Sequence, residues 1–176
     1  MLNIANDDSA AERYQFSSVK TKVMIFNNRR PTSAWSAGEW WTLANAPVGV
    51  SSREKHLGLI REPLGGVAIT VDENTKKARR CAYSLMGAGM HGLNGVHPEV
   101  GIRLWNVYAV PRLVYGLEIL RLQIGNWSKV ELCQRQILRN ILHLPSSTAI
   151  PAIHLISGVL PVQAIVERNA LTVSYT

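Results

Sequence analysis

From Val71 onward, apolar or small residues return every three or four positions: Val71, Thr75, Ala78, Ala82, Leu85 and Gly89. This is the period of a helix face turned toward a core. Lys76, Lys77, Arg79 and Arg80 fall on the opposite side. A second helix is predicted to begin with Pro98 in its first turn and Glu99 beside it, two residues that suit a helix start. It runs through Leu104, Trp105 and Tyr108 until Pro111 kinks or ends it. Helical sections over Arg112–Leu122 and Ser128–Leu144 follow. The latter sets Val130, Cys133, Ile137, Ile141 and Leu144 along one face, with Arg135 and Arg139 on another. Pro145, Pro151 and Pro161 then divide the tail into short pieces.

Before residue 70 the pattern is different. Short strand-like runs, "KVMIF" (Lys22–Phe26) and "HLGLI" (His56–Ile60), flank a loop-rich stretch from Asn27 to Ser52 punctuated by Pro31, Gly38, Pro47 and Gly49. "SAAERYQF" reads as the end of a helix leading into the first strand. The expected fold class is therefore α+β. It comprises a small, incomplete β-rich part over 1–70, a helical region over 71–144 and a short helical tail over 145–176.

Composition narrows the function. Of 176 residues, 47% are apolar, so the chain is long and apolar enough to bury a core and is not of the disordered class. No apolar run reaches membrane-span length, and no basic start leads into a signal-type core. An intracellular chain, nuclear or cytoplasmic, without a membrane partner is expected. The formal charge is +7, which favours an anionic partner, nucleic acid first. Ten Lys or Arg against five Asp or Glu between Asp72 and Leu142 put +5 of that charge in the helical part. Four basic side chains in five positions, Lys76 to Arg80, suit phosphate contacts that give affinity without reading sequence; a solvated helix face is the plainer reading. Cys81 and Cys133 match no metal spacing and read as buried thiols. The five histidines are dispersed, so no metal site is expected. Trp105, Tyr108, Tyr115 and Trp127 are expected in the core rather than stacked on bases.

Two motifs invite sharper readings. "GAGMHGLNG" (Gly87–Gly95) contains G-x-G-x-x-G, but a dinucleotide loop needs a strand before the glycines and an acidic residue about 20 positions on. A helical segment precedes these glycines, Glu99 comes too soon and Glu118 too late. The stretch reads as a joint between helices, and no cofactor is expected. Asp7 and Asp8 in "NDDSA" resemble a pair of metal-holding carboxylates, yet lack the apolar flanks of a tight strand turn. With Asn6 and Ser9 they read as a helix start.

The ordered set "SSVKTKVMIF", "EKHLGLIRE", "ARRCAYSLMGAGMHGLNG", "YAVPRLVYGLEIL" and "VELCQRQILRNILHLP" resembles the C-terminal part of a reverse transcriptase of non-LTR (LINE-type) retrotransposons, from about residue 10 to the end. The resemblance implies that "KTKVMIF" follows the catalytic turn of a palm, with Lys20 at the position that assists pyrophosphate departure as general acid. It implies a primer-grip strand at His56, Leu57 and Gly58. The helices from Val71 onward would be a thumb lying on the template–primer duplex through Lys76, Lys77, Arg79 and Arg80, followed by a connection through Pro111, Tyr115 and Leu142. The Tyr-x-Asp-Asp turn of an intact member, with its Mg2+, is expected upstream of residue 1. Without those carboxylates, unaided nucleotide addition is not expected, and a role in binding RNA–DNA or other duplexes is. Two other readings stay open: a helical protein-interaction module, packed on the missing polymerase part or another protein, and a transposon remnant without function.

Overall fold

The helical period beginning at Val71 does close into a helix, but the helix starts upstream of it. In the computed structural model, which describes residues 2–17, 19–26, 41–43, 46–63 and 66–174, α2 runs Gly66–Gly87. Thr70, Val71, Asn74, Ala78 and Ala82 form its buried stripe. Thr75 is only half-buried and Gly89 lies past the helix end, so the inward face is rotated slightly from the one the sequence suggests. The chain divides into two units, Met1–Gly66 and Val67–Thr176.

In the second unit, α3 (Pro98–Leu104) begins as its sequence predicts. Pro98 occupies the first turn, where a missing N–H costs nothing, and the His97 ring accepts the amide of Glu99. Pro111 does not end this helix. The chain widens into a π turn, Trp105–Ala109, in which the Val110 amide donates to the Trp105 carbonyl. That turn moves the carbonyl that the proline ring would strike in an α-helix, and α4 (Val110–Val114) continues through Pro111. The helix expected over Arg112–Leu122 stops instead at Val114. Gly116 adopts a left-handed conformation (φ 70°), a short 3-10 turn covers Leu117–Ile119, and Leu120 is extended.

Helix α5 (Ile124–Leu142) also starts earlier than its periodicity indicates, and buries Val130, Cys133, Gln134, Ile137, Leu138 and Ile141. His143 closes it in a left-handed conformation (φ 51°), with the Leu144 amide returning to the Arg139 carbonyl at 2.9 Å. The tail forms α6 (Ile150–Ser157) and α7 (Val162–Ser174), joined at Gly158, and both pack on α5. One apolar cluster, from Val71 on α2 to Val166 on α7 with Trp105 fully buried in it, holds these helices together. Its two buried side-chain amides are tied to backbone carbonyls beside helix ends: Asn74 Nδ2 donates to the Tyr115 carbonyl at 2.8 Å, and Gln134 Nε2 to the Leu160 carbonyl at 3.1 Å. Each bond spends a donor that would be costly to bury alone.

The glycine-rich stretch lies between α2 and α3. The Gly92 amide donates to Asn140 at the end of α5, and a side chain there would meet the His143 amide nitrogen at 2.6 Å. At Gly95 a side chain would meet two carbonyls at 2.3 Å. Close backbone approach is what these glycines supply.

The first unit carries α1 (Leu2–Ala11) and short strands. Asp7 and Asp8 do not begin a helix. They lie inside α1, where Ser9 Oγ bonds back to the Asn6 carbonyl. "KVMIF" forms a strand only at β1 (Lys22–Val23), parallel to β4 (Gly49–Val50). The loop-rich stretch from Asn27 to Ser52 is described only in part, since residues 27–40, 44 and 45 lie outside the described residues. Its remainder gives β4 and the antiparallel pair β2 (Thr42–Leu43) and β3 (Ala46–Pro47). "HLGLI" is not one strand but the turn of a hairpin, β5 (Glu54–His56) with β6 (Leu59–Arg61), registered His56 to Leu59 and Glu54 to Arg61. Arg53 and Glu62, one register step outside, form an ion pair across its base. The fold class is thus α+β, with strands in the N-terminal part and helices after it. Among the described residues no single helix is long and apolar enough to cross a membrane.

Candidate nucleic-acid interface

On α2 the four basic residues are not equivalent. At about 100° per residue, Arg79, Lys76, Arg80 and Lys77 succeed one another over an arc of about 160°, facing away from the buried Val71, Ala78 and Ala82. Lys76 is paired with Glu73 at 3.2 Å. Arg79 is half-buried, and its Nη2 donates to Gln136 Oε1 on α5 at 2.9 Å. Lys77 and Arg80 form no ion pair among the described residues. Asp72, one turn earlier, is held by Lys129 at 3.1 Å. Two cations on this face are therefore free to meet a phosphate, and two already have a partner to trade.

Beside that face lies a groove of about 490 Å³ between α2 and α5. Arg79 and Tyr83 enter it from α2, four residues apart and so stacked on one face. Leu132, Gln136, Arg139 and Asn140 enter it from α5 at the corresponding helical spacing, with Leu144 and Ser146 at its end. Arg139 Nη2 donates to the Thr148 carbonyl at 2.9 Å, while its buried Nε has no acceptor. Cys133 lies beneath on α5. Burial pushes its thiol pKa up, opposed in part by the neighbouring Arg79 guanidinium.

In the first unit, the structure brings Lys20 and His56 to one cleft of about 630 Å³. Lys22, Lys55 and Arg61 line it as well, with Met24 and Phe26 as apolar wall and Glu54 as its one carboxylate among the described residues. Lys20 is exposed, on a turn held by Ser17. Leu57 and Gly58 form the hairpin turn itself, both with positive φ (49° and 83°). Such a cleft holds cations close together and suits a polyanion.

Sequence reading did not single out Lys22, Lys55 and Arg61. Their common cleft depends on the β1–β4 pairing and the hairpin, and neither is visible in a run of two or three residues. Tyr83, Gln136 and Asn140 were likewise missed. Their signal was present as spacing: Tyr83 stands four after Arg79, and Gln136 and Asn140 stand four and eight after Leu132. Among the aromatics, Trp105 is fully buried and Trp127 is packed against the core, whereas Tyr108 and Tyr115 are about half exposed. Comparison of the chain with protein-family models, with curated proteins and with solved structures finds no match.

Proposed function

We propose that this chain binds nucleic-acid backbones without reading their sequence, as the primer-grip and thumb portion of a non-LTR reverse transcriptase would. The observation that carries the reading is the outer face of α2. Four cations share it, and Lys77 and Arg80 are held by no carboxylate among the described residues. Contacts of this kind release condensed counterions, so affinity falls steeply with salt and little with sequence. The basic cleft around Lys20 and His56 adds a second surface of the same sign. Nucleotide addition is not part of this proposal.

The test is fluorescence anisotropy of a labelled RNA–DNA duplex with 5′-hydroxyl ends, titrated at several salt concentrations. Wild type should bind scrambled sequences alike. The double variant K77Q/R80Q should lower the log–log salt slope by roughly 0.7–0.9 for each phosphate that is no longer neutralised. An unchanged slope and affinity would remove α2 from the interface.

A second reading, contact with another protein, has one observation in its favour. On α6, Leu155 is 85% exposed and Ile156 58% exposed, while the neighbouring Ile153 is buried. Large side chains left in solvent on one helix mark contact surfaces. A chain that sediments as a monomer and binds no hydrophobic dye would count against this reading.

A further inference from the structure

The groove between α2 and α5 asks for a ligand of its own. Among the described residues its lining contains two guanidinium groups and no carboxylate, unlike the outer face of α2, where Glu73 and Asp72 offset the cations. Both guanidinium groups are positioned by the protein, Arg79 on Gln136 and Arg139 on Thr148. A guanidinium carries five N–H donors. The bonds to these oxygen acceptors, with the Cys133 thiol also beside Arg79, fix the groups and leave terminal N–H donors of both to give. Such forks match the oxygens of a phosphate monoester better than a point charge does.

The rest of the groove is not built for an anion alone. The Tyr83 ring is about half exposed and makes no ring contact among the described residues. Leu132, also partly exposed, and Leu144 complete an apolar wall beside it. A planar group entering here would cover apolar surface now in water and stack on the phenol ring. Gln136 spends its carbonyl oxygen on Arg79 and keeps its NH₂, and Asn140 is exposed with both amide functions available. Those groups can meet the edge of a heterocycle. The volume, about 490 Å³, lies in the range of small-ligand sites.

We propose that this groove binds a single 5′-phosphorylated nucleotide unit, its phosphate between Arg79 and Arg139 and its base on Tyr83. The assignment goes beyond the backbone contact proposed above, and it needs neither Lys77 nor Arg80. One chemistry serves two sources, a free mononucleotide or the phosphorylated end of a strand.

The experiment uses the full chain and isothermal titration with adenosine monophosphate, adenosine, inorganic phosphate and a 5′-phosphorylated trinucleotide. Adenosine monophosphate should bind, with adenosine and phosphate each weaker by about tenfold or more, because each forfeits half of the site. Tyr83→Ala and Asn140→Ala, both at exposed positions that leave the core intact, should each weaken binding, Tyr83→Ala by about tenfold. Equal affinity for the mononucleotide and the trinucleotide would identify the free nucleotide as ligand, and a tighter trinucleotide the strand end; either supports the site. No binding of either phosphorylated probe, phosphate binding as well as the nucleotide, or no effect of Tyr83→Ala would overturn it. Duplex binding through Lys77 and Arg80 is read in the separate salt titration, so either proposal can fail alone.

Discussion

At Leu57 the chain puts a γ-branched side chain where it costs most. The β5–β6 hairpin closes through two residues with positive φ, the geometry of a type I′ turn, whose preferred pair is Asn-Gly. Gly58 meets the requirement; Leu57 does not, and holding it left-handed costs on the order of 1 kcal/mol. Leu57→Asn is therefore expected to stabilise the hairpin and slow hydrogen exchange of its cross-strand amides about fivefold. Faster exchange would show that Leu57 contributes more through its side chain than it loses in its backbone. Cys133 carries a second residue-scale prediction. Burial raises its folded pKa above that of the unfolded thiol, so the folded state holds its proton more tightly. Its contribution is complete below the unfolded pKa, about 8.5, and is lost as pH climbs toward the raised folded value. Urea unfolding of wild type and Cys133→Ala should therefore converge as pH rises above about 8.5. A constant difference up to pH 10 would contradict the assignment.

Among the elements, two glycines in helices separate packing from propensity. A methyl group on Gly101 in α3 would lie 2.8 Å from Ile141 Cγ2, on a stiff β-branched side chain fixed in the core. The gain of about 1 kcal/mol in helix propensity is outweighed by overpacking of about 1–3 kcal/mol. Gly101→Ala should lower the denaturation midpoint. At Gly125, in the first turn of α5, nothing lies within 4 Å, and Gly125→Ala should add about 0.5 kcal/mol. Equal effects of the two would mean that α3 does not approach α5 as described. The same elements show what a linear pattern carries. The faces of α2 and α5 were legible because burial repeats with the helix turn, and Pro98 marked a start because its chemistry is local. The π turn before Pro111 was not legible, since a proline permits a stop, a kink or a widened turn, and the packing of Trp105 and Ala109 decides. Of the candidate site, the cations of α2 could be read directly. Their unequal partners could not, because Gln136 reaches Arg79 from α5, more than fifty positions away.

On the scale of the molecule, apolar burial is divided unevenly between the two units. The cluster that includes Val71, Trp105, Leu113, Ile137 and Val162 is drawn entirely from residues after Gly66. Among the described residues of the first unit, the buried hydrophobic side chains are Leu43, Val48 and Leu59. Three such side chains make a small core to set against the conformational entropy lost when the chain is ordered. Its paired strands of two or three residues add little independent stability. A fragment spanning 67–176 is therefore expected to fold alone, with helical circular dichroism and a cooperative thermal transition. A fragment spanning 1–66 should show neither a transition nor protected amides. If the longer fragment also retains salt-dependent duplex binding that responds to K77Q/R80Q, the interface resides on α2 and needs no first unit. Duplex binding that disappears from a fragment that still melts cooperatively would instead move the interface to the cleft of Lys20, Lys22, Lys55 and Arg61, whose cations that fragment lacks. The comparison is decisive because the two basic surfaces lie on opposite sides of Gly66, and a single cut separates their contributions without altering a side chain in either.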